Sequence, residues 1–223
     1  EAEHGGEKVV NTGMFEKYKI EKIFGLHTKQ NMPVGTIAIA PGPFSAAVDR
    51  FLYTVKGMGC HGSAPQTGLD PIPAAARLVG SLQEIVSRRI SPTETAVISV
   101  TRFTSGTSWN IIPETARLEG TVRTFNPKVR EQIVKLMQAQ AEGLEREGYQ
   151  AEFTWIPGCP ATNNDANLAE LVRKEAMEEG FHVTLQYPEM GGEDFSCYQE
   201  LVPGAFFHVG TGGKYPAHNS KFT

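Results

Sequence analysis

Cysteine is scarce in this chain. Cys60, Cys159 and Cys197 are odd in number, far apart and without any C-x-x-C spacing, which argues against a disulfide framework and against a thiolate zinc knuckle. A reducing cytoplasm is therefore the expected compartment. Long apolar runs are missing too: none approaches the roughly 20 residues that cross a bilayer, and no signal-peptide pattern opens the sequence, although a missing N-terminus would have carried one away. No membrane partner is expected. Charge of one sign is equally lacking, because 21 Lys plus Arg against 25 Asp plus Glu leave a formal charge of -4 without a basic stripe. A surface of that kind does not track a phosphate backbone, so nucleic acid is not an expected partner. Glycines number 23, yet neither Gly57-Met-Gly59 nor Gly210-Thr-Gly-Gly213 precedes the helix and Lys-Ser/Thr of a phosphate loop. No G-x-S-x-G elbow occurs. That absence, and the rarity with which neighbours on a turn orient as nucleophile and base, weigh against a serine hydrolase built on Ser63 and His61. An initiator Met is absent and the chain stops at Lys221-Phe222-Thr223, so an incomplete protein is expected.

What is present is enough for real cores. At 223 residues and 40% hydrophobic content the chain holds one large domain or two moderate ones. Hydrophobic spacing predicts a short helix over 7–15, a buried strand over 20–26 leading to His27, and a strand over 36–40. Pro41-Gly-Pro43 then breaks the pattern. From 46 to 156 the predicted order is strand 46–57, helix 71–89, strands 95–104 and 115–125, helix 127–147 and strand 150–156. This β-α-β-β-α-β order is the split, ferredoxin-like α+β plan. The helices rest on two stripes, Leu78, Val79, Leu82, Ile85 and Val86, and Val129, Ile133, Leu136, Met137 and Leu144. After Pro157-Gly-Cys-Pro160 a helix capped at Asn164-Asp165 runs to Glu179, followed by strand 181–187, a helical turn 193–201 and strand 205–209. The expected domains are 1–43 with 158–223, and an inserted 44–157.

Metal-capable side chains stand at both ends. Glu1 opens the chain, His27 closes the apolar run Ile23-Phe-Gly-Leu26, and His218 sits in Tyr215-Pro-Ala-His-Asn219. Zinc held by imidazole and carboxylate draws three or four ligands from distant parts of a chain. A lone histidine at a strand end more often plays a structural or solvated part, and His182 and His208 are read that way.

The strings around these residues resemble a known family. Ile23-Phe-Gly-Leu-His27, Pro33-Val-Gly-Thr-Ile37, Lys56-Gly-Met-Gly-Cys-His-Gly-Ser-Ala-Pro65 and Gly68-Leu-Asp-Pro-Ile72 are similar to the aminoacylase, hippurate hydrolase and auxin-conjugate hydrolase branch of the di-zinc metallopeptidases. Trp109-Asn-Ile-Ile-Pro113, Leu118-Glu-Gly-Thr-Val-Arg-Thr-Phe125, Met190-Gly-Gly-Glu-Asp-Phe195 and Pro216-Ala-His-Asn219 continue the match in the same order. Co-linear motifs over two hundred positions carry weight that a single motif would not.

The resemblance implies an α/β zinc-peptidase-like catalytic domain with an inserted ferredoxin-like dimerisation, or lid, domain. It implies two divalent metal ions, zinc first and manganese or cobalt as alternatives, with His27 and His218 at metal-ligand positions. Glu1 stands 26 positions before His27, a separation similar to that of the family's metal-binding Glu, which would put the general base just upstream. An alternative register makes Glu3 the base and places His4 in the ligand slot. The family's Cys-x-His ligands have no counterpart, since Cys60-His61 is adjacent and lies in another motif. On the lid, His61 and Asn110 match positions that reach the partner subunit's substrate and stabilise its oxyanion, chemistry suited to hydrogen-bond donors. Arg123 either grips the substrate's free carboxylate or forms an ion pair with Glu119. The implied activity is metal-dependent hydrolysis of the amide bond of small N-acyl amino acids by a homodimer. A dipeptidase or carboxypeptidase of the same family and a catalytically inactive dimerisation or binding fragment are the alternatives. This chain alone, lacking the Cys-x-His ligands, is expected neither to hold two zinc ions tightly nor to turn over substrate.

Overall fold

The computed structural model describes residues 5–215 and 219–220. Along the chain, α1 (Gly5–Val10) and α2 (Met14–Tyr18) precede β1 (Ile23–Lys29), β2 (Thr36–Ile39), β3 (Gly42–Ser45), β4 (Ala47–Lys56) and β5 (Cys60–His61). Then come α3 (Pro71–Glu84), β6 (Ala96–Ser105), β7 (Ile111–Ile112), β8 (Thr115–Thr124), α4 (Pro127–Arg146) and β9 (Gln150–Ile156). The chain closes through β10 (Thr162–Asn164), α5 (Ala166–Glu178), β11 (His182–Leu185), α6 (Ser196–Gln199) and β12 (Gly204–Gly210). Two compact units result, one of Glu1–Ala47 with Cys159–Thr223 and the other of Val48–Gly158.

The Val48–Gly158 unit is a four-stranded antiparallel sheet in the order β6-β8-β4-β9, with α3 and α4 packed against it. Both helices start where a short polar side chain meets proline. Asp70 accepts the Ile72 N–H at 2.9 Å and Asn126 accepts the Lys128 N–H at 3.0 Å, while Pro71 and Pro127 occupy positions that need no donor. Leu78, Leu82, Ile85, Ile133 and Met137 from the helices close on Phe51, Tyr53, Val55, Leu118 and Val122 from the sheet. Each such side chain contributes about 1.5–3 kcal/mol by leaving water. The predicted helix 71–89 is α-helical only to Glu84 and finishes as a wider π turn over 85–89. Asp49, 1% exposed, is held by the Arg130 guanidinium and by the Gly158 N–H at 3.1 Å.

In the other unit the sheet order is β1-β12-β2-β11. β1 runs parallel to β12, β12 antiparallel to β2, and β2 parallel to β11. Asp165 caps α5 by accepting the Asn167 and Leu168 N–H groups at 2.9 Å, and Leu168 and Ala169 pack on Ile39 and Ala205. Phe44, Phe195 and Phe206 form a second cluster.

Local chemistry explains where the fold departs from the sequence expectations. The helix expected over 7–15 is two short helices, because Gly13 takes a left-handed conformation (φ 69°) between them. Pro41-Gly-Pro43 does not end strand structure: Gly42–Ser45 pairs with Thr162–Asn164 in a two-stranded ribbon, where a proline at an edge removes no needed donor. β1 extends to Lys29, so His27 lies within the strand rather than after it. The helical turn expected over 193–201 covers only Ser196–Gln199.

Candidate active site

In-register parallel neighbours point to the same side of a sheet, and β1 lies on β12 with His27 opposite His208. Their rings meet edge-on with centroids 6.5 Å apart. Both line a cleft of about 240 Å³ that also takes in Lys29, Phe44, Glu189 and Glu193. Gly25 shares that face. A Cβ there would lie 2.6 Å from the Phe195 ring and 2.8 Å from the Phe206 ring, so only glycine leaves room for these aromatics, of which Phe206 lines the cleft.

The hydrogen bonds assign each ring its proton. His27 Nδ1 lies 2.8 Å from the Thr28 carbonyl oxygen; a carbonyl only accepts, so Nδ1 carries a hydrogen, and in the neutral ring the lone pair is on Nε2. His208 Nδ1 is 3.0 Å from Gln186 Oε1. The same oxygen receives the Lys29 ammonium at 3.3 Å, which marks it as the acceptor and leaves His208 Nε2 unprotonated as well. Burial first, and the Lys29 charge second, push the His208 pKa down to about 4, against a smaller opposing pull from Glu189. Glu189 is raised by burial, but hydrogen bonds from Lys29 and Gln186 outweigh this and hold its carboxyl below the usual range. The cleft thus holds a neutral His208 imidazole and a carboxylate paired with Lys29.

The glycine-rich motif preceding α6 shapes the rim. The Glu189 and Gly191 carbonyls accept the Ala46 N–H at 3.1 and 2.9 Å, Glu193 accepts the Ser196 hydroxyl at 2.7 Å, and Asp194 receives the Gly6 N–H at the start of α1 at 2.8 Å.

A separate constellation stands in the Val48–Gly158 unit. β5 pairs with β7 so that His61 faces Ile111, and the Gly62 N–H donates to the Asn110 carbonyl at 2.8 Å. Residues 61 and 110 are thereby neighbours. Asn110 Oδ1 accepts the Ser108 hydroxyl at 2.8 Å, and the His61 Nδ1 sits 2.7 Å from Ser63 Oγ. The turn does orient these neighbours, contrary to the expectation drawn from their adjacency. Of the two roles open to Arg123, the ion pair with Glu119 does not form, because Glu119 is occupied by Arg50 and Arg102. Four residues apart on one strand, Arg123 and Glu119 are too far separated to meet.

The expected ligands Glu1 and His218, and the alternative pair Glu3 and His4, lie outside the described residues. The Asn31 N–H bonds the Gly213 carbonyl at 3.0 Å and the Thr211 N–H bonds the Lys29 carbonyl at 3.1 Å. His208, Gln186, Lys29 and Glu189 escaped sequence reasoning. The reading of His208 as structural or solvated overlooked its place opposite His27, which strand register alone reveals; His182, in contrast, is exposed at the start of β11.

The sequence model of Peptidase family M20/M25/M40 matches residues 1–223. The chain belongs to that family. It is 42% identical over 220 residues to an N-acetylcysteine deacetylase of Bacillus subtilis, covering 98% of this chain and 57% of that protein. With an N-acetyldiaminopimelate deacetylase of Bacillus pumilus it shares 34% identity, covering 97% and 58%. The crystal structure of the Bacillus subtilis YXEP protein, described as a dinuclear metal-binding peptidase of the M20 family, superposes with a TM-score of 0.81 at 38% identity, over 98% of this chain and 55% of that one. The chain therefore spans a little over half the length of these relatives.

For an M20/M25/M40 chain the decisive question is whether its own residues suit metal. His27 does: an imidazole with Nδ1–H tied to a backbone carbonyl and Nε2 open is the arrangement of metal-ligating histidines. Among the described residues no group of three or more His, Cys, Asp or Glu side chains is clustered to hold an ion, so His27 is the one described member of the expected ligand set. Among the described residues, too, no helix is long and apolar enough to cross a membrane.

Proposed function

We propose that the complete polypeptide carrying this M20/M25/M40 chain hydrolyses the amide bond of small N-acyl amino acids or related conjugates, as in the aminoacylase and amidohydrolase branch. The observation that carries this reading is His27, which lines the cleft with its Nδ1 tied to the Thr28 carbonyl and so keeps Nε2 for an ion. The named activities of the relatives, deacetylation of N-acetylcysteine and of N-acetyldiaminopimelate, support the substrate class. Two divalent ions, zinc first, would be held by His27 together with His218 and Glu1. When bound, such ions polarise the scissile carbonyl and lower the pKa of a water.

The rest falls to the chain itself. His208 is kept neutral beside His27, so no imidazolium repels a cation there. The Lys29–Glu189 pair and Gln186 hold the His208 ring in place. His61 and Asn110 supply hydrogen-bond donors for the oxygen that gains negative charge, and Arg123 takes the free carboxylate of the amino acid. We assign Val48–Gly158 as the dimerising lid that brings His61 to the partner subunit's substrate. We place the protein in a reducing cytoplasm, in keeping with three cysteines that lack any C-x-x-C spacing.

The test combines metal content by atomic absorption with turnover of an N-acetyl amino acid. The complete polypeptide should carry two ions per chain and turn over. His27→Ala should lose metal and more than about a hundredfold in kcat/KM, beyond the 10- to 100-fold loss typical of a residue that merely supports a ligand. Full metal and full activity in that variant would refute the reading.

A further inference from the structure

Ser63 approaches the His61 ring twice. Its hydroxyl lies 2.7 Å from Nδ1, and its backbone N–H donates to the same nitrogen at 3.2 Å. A hydroxyl can play either part, but a backbone amide only donates, so Nδ1 is the acceptor and the neutral ring must carry its hydrogen on Nε2. This is the opposite tautomer from His27, whose Nδ1 faces a carbonyl. The turn that holds the pair is itself pinned. The Gly62 N–H bonds the Asn110 carbonyl at 2.8 Å, the Ala64 N–H bonds the His61 carbonyl at 2.9 Å, and a Cβ on residue 62 would come within 3.1 Å of that Asn110 oxygen. The ring therefore cannot exchange its two nitrogens without giving up both Ser63 contacts.

We propose that Ser63 is a positioning residue that holds His61 as the Nε2–H tautomer, so that the imidazole offers a hydrogen-bond donor, not a lone pair, to the oxyanion of the substrate. The inference rests on the role given to His61 above. Donation to an oxygen that becomes negative only in the transition state accelerates turnover without tightening ground-state binding. Loss of the Ser63 hydroxyl therefore acts on kcat and leaves KM in place.

The test uses the complete polypeptide with 15N-labelled histidine, in wild type, Ser63→Ala, Ser63→Thr and His61→Ala, with spectra recorded at about pH 9, where imidazoles are neutral. In wild type and Ser63→Thr the His61 signals should be those of a protonated Nε2 and a bare Nδ1. In Ser63→Ala, which keeps only the longer backbone contact, they should move toward a tautomer mixture, and kcat should fall about fivefold, the worth of one neutral hydrogen bond. Ser63→Thr should restore kcat, and Ser63→Ala should add nothing to His61→Ala. A wild-type ring protonated on Nδ1 would overturn the proposal, as would unchanged spectra or unchanged kcat in Ser63→Ala. Turnover abolished by Ser63→Ala below the level of His61→Ala would overturn it in favour of Ser63 as a nucleophile. The spectra need no substrate, so a wild type that shows the expected tautomer but cleaves no N-acyl amino acid refutes the proposed function and not the placement of the proton.

Discussion

At the scale of the residue, the neighbours of each side chain settle its chemistry more than its type does. His27, His61 and His208 are the same residue, yet a carbonyl and a glutamine oxygen place the hydrogen of neutral His27 and His208 on Nδ1, whereas an amide N–H places that of neutral His61 on Nε2. His27 and His61 were legible in the sequence because short motifs surround them. His208 was not, because its importance comes from standing opposite His27 across two strands 181 positions apart. Buried Tyr53 shows the same dependence on surroundings. Its hydroxyl donates to the Met137 carbonyl at 2.7 Å, and burial pushes its ionisation far above the ordinary value of 10.0. Below that value folded and unfolded chains both keep the proton; above it the unfolded chain releases a proton that the folded chain retains, so stability falls as pH rises. Tyr53→Phe should cost about 1 kcal/mol near neutral pH. It should also flatten the alkaline loss, which urea midpoints at about pH 8 and about pH 11 will show; an equal alkaline loss in both proteins would contradict the assignment.

Elements with strong local signals were legible, and elements defined by pairing were not. Helices α3, α4 and α5 announce themselves through Asp70-Pro71, Asn126-Pro127 and Asp165, each a side-chain cap ahead of an apolar stripe. The ribbon of β3 with β10 and that of β5 with β7 contain too few residues to show a period, and only their distant partners make them strands. Gly120 illustrates how a sheet constrains an element from outside. A Cβ at this position in β8 would lie 2.1 Å from the Ser99 carbonyl of β6 and 2.4 Å from the Phe51 ring of β4. Neither backbone nor buried ring gives way easily, so Gly120→Ala should destabilise the protein by about 3 kcal/mol, the upper end for overpacking. Its urea midpoint should drop with an unchanged slope, and a midpoint equal to wild type would show that the strands can separate.

On the scale of the whole molecule, the open edge of β6 and its surroundings bear on the lid role we propose. Val97 and Phe103 on that strand, and Trp109 and Ile111 beyond it, are exposed, Trp109 to 96%, and exposed apolar groups near an unpaired strand are what a partner copy covers. Phe103→Glu combined with Trp109→Glu should weaken the dimer at least about thirtyfold, the loss of one aromatic anchor worth about 2 kcal/mol. Sedimentation velocity would detect it, and the folded monomer should persist because neither side chain belongs to a buried core; a dimer of undiminished affinity would place the interface elsewhere. The family, the α3 and α4 stripes and the interest of His27, His61 and Asn110 could all be read before folding, because each is written in a contiguous motif or a helical period. It took the folded structure to show that His208 shares the His27 cleft, that Asn110 adjoins His61, that Glu119 belongs to Arg50 and Arg102 rather than Arg123, and what Nδ1 of His27, His61 and His208 bonds to. These depend on strand register and hydrogen-bond direction, and both come into being only when distant segments pair.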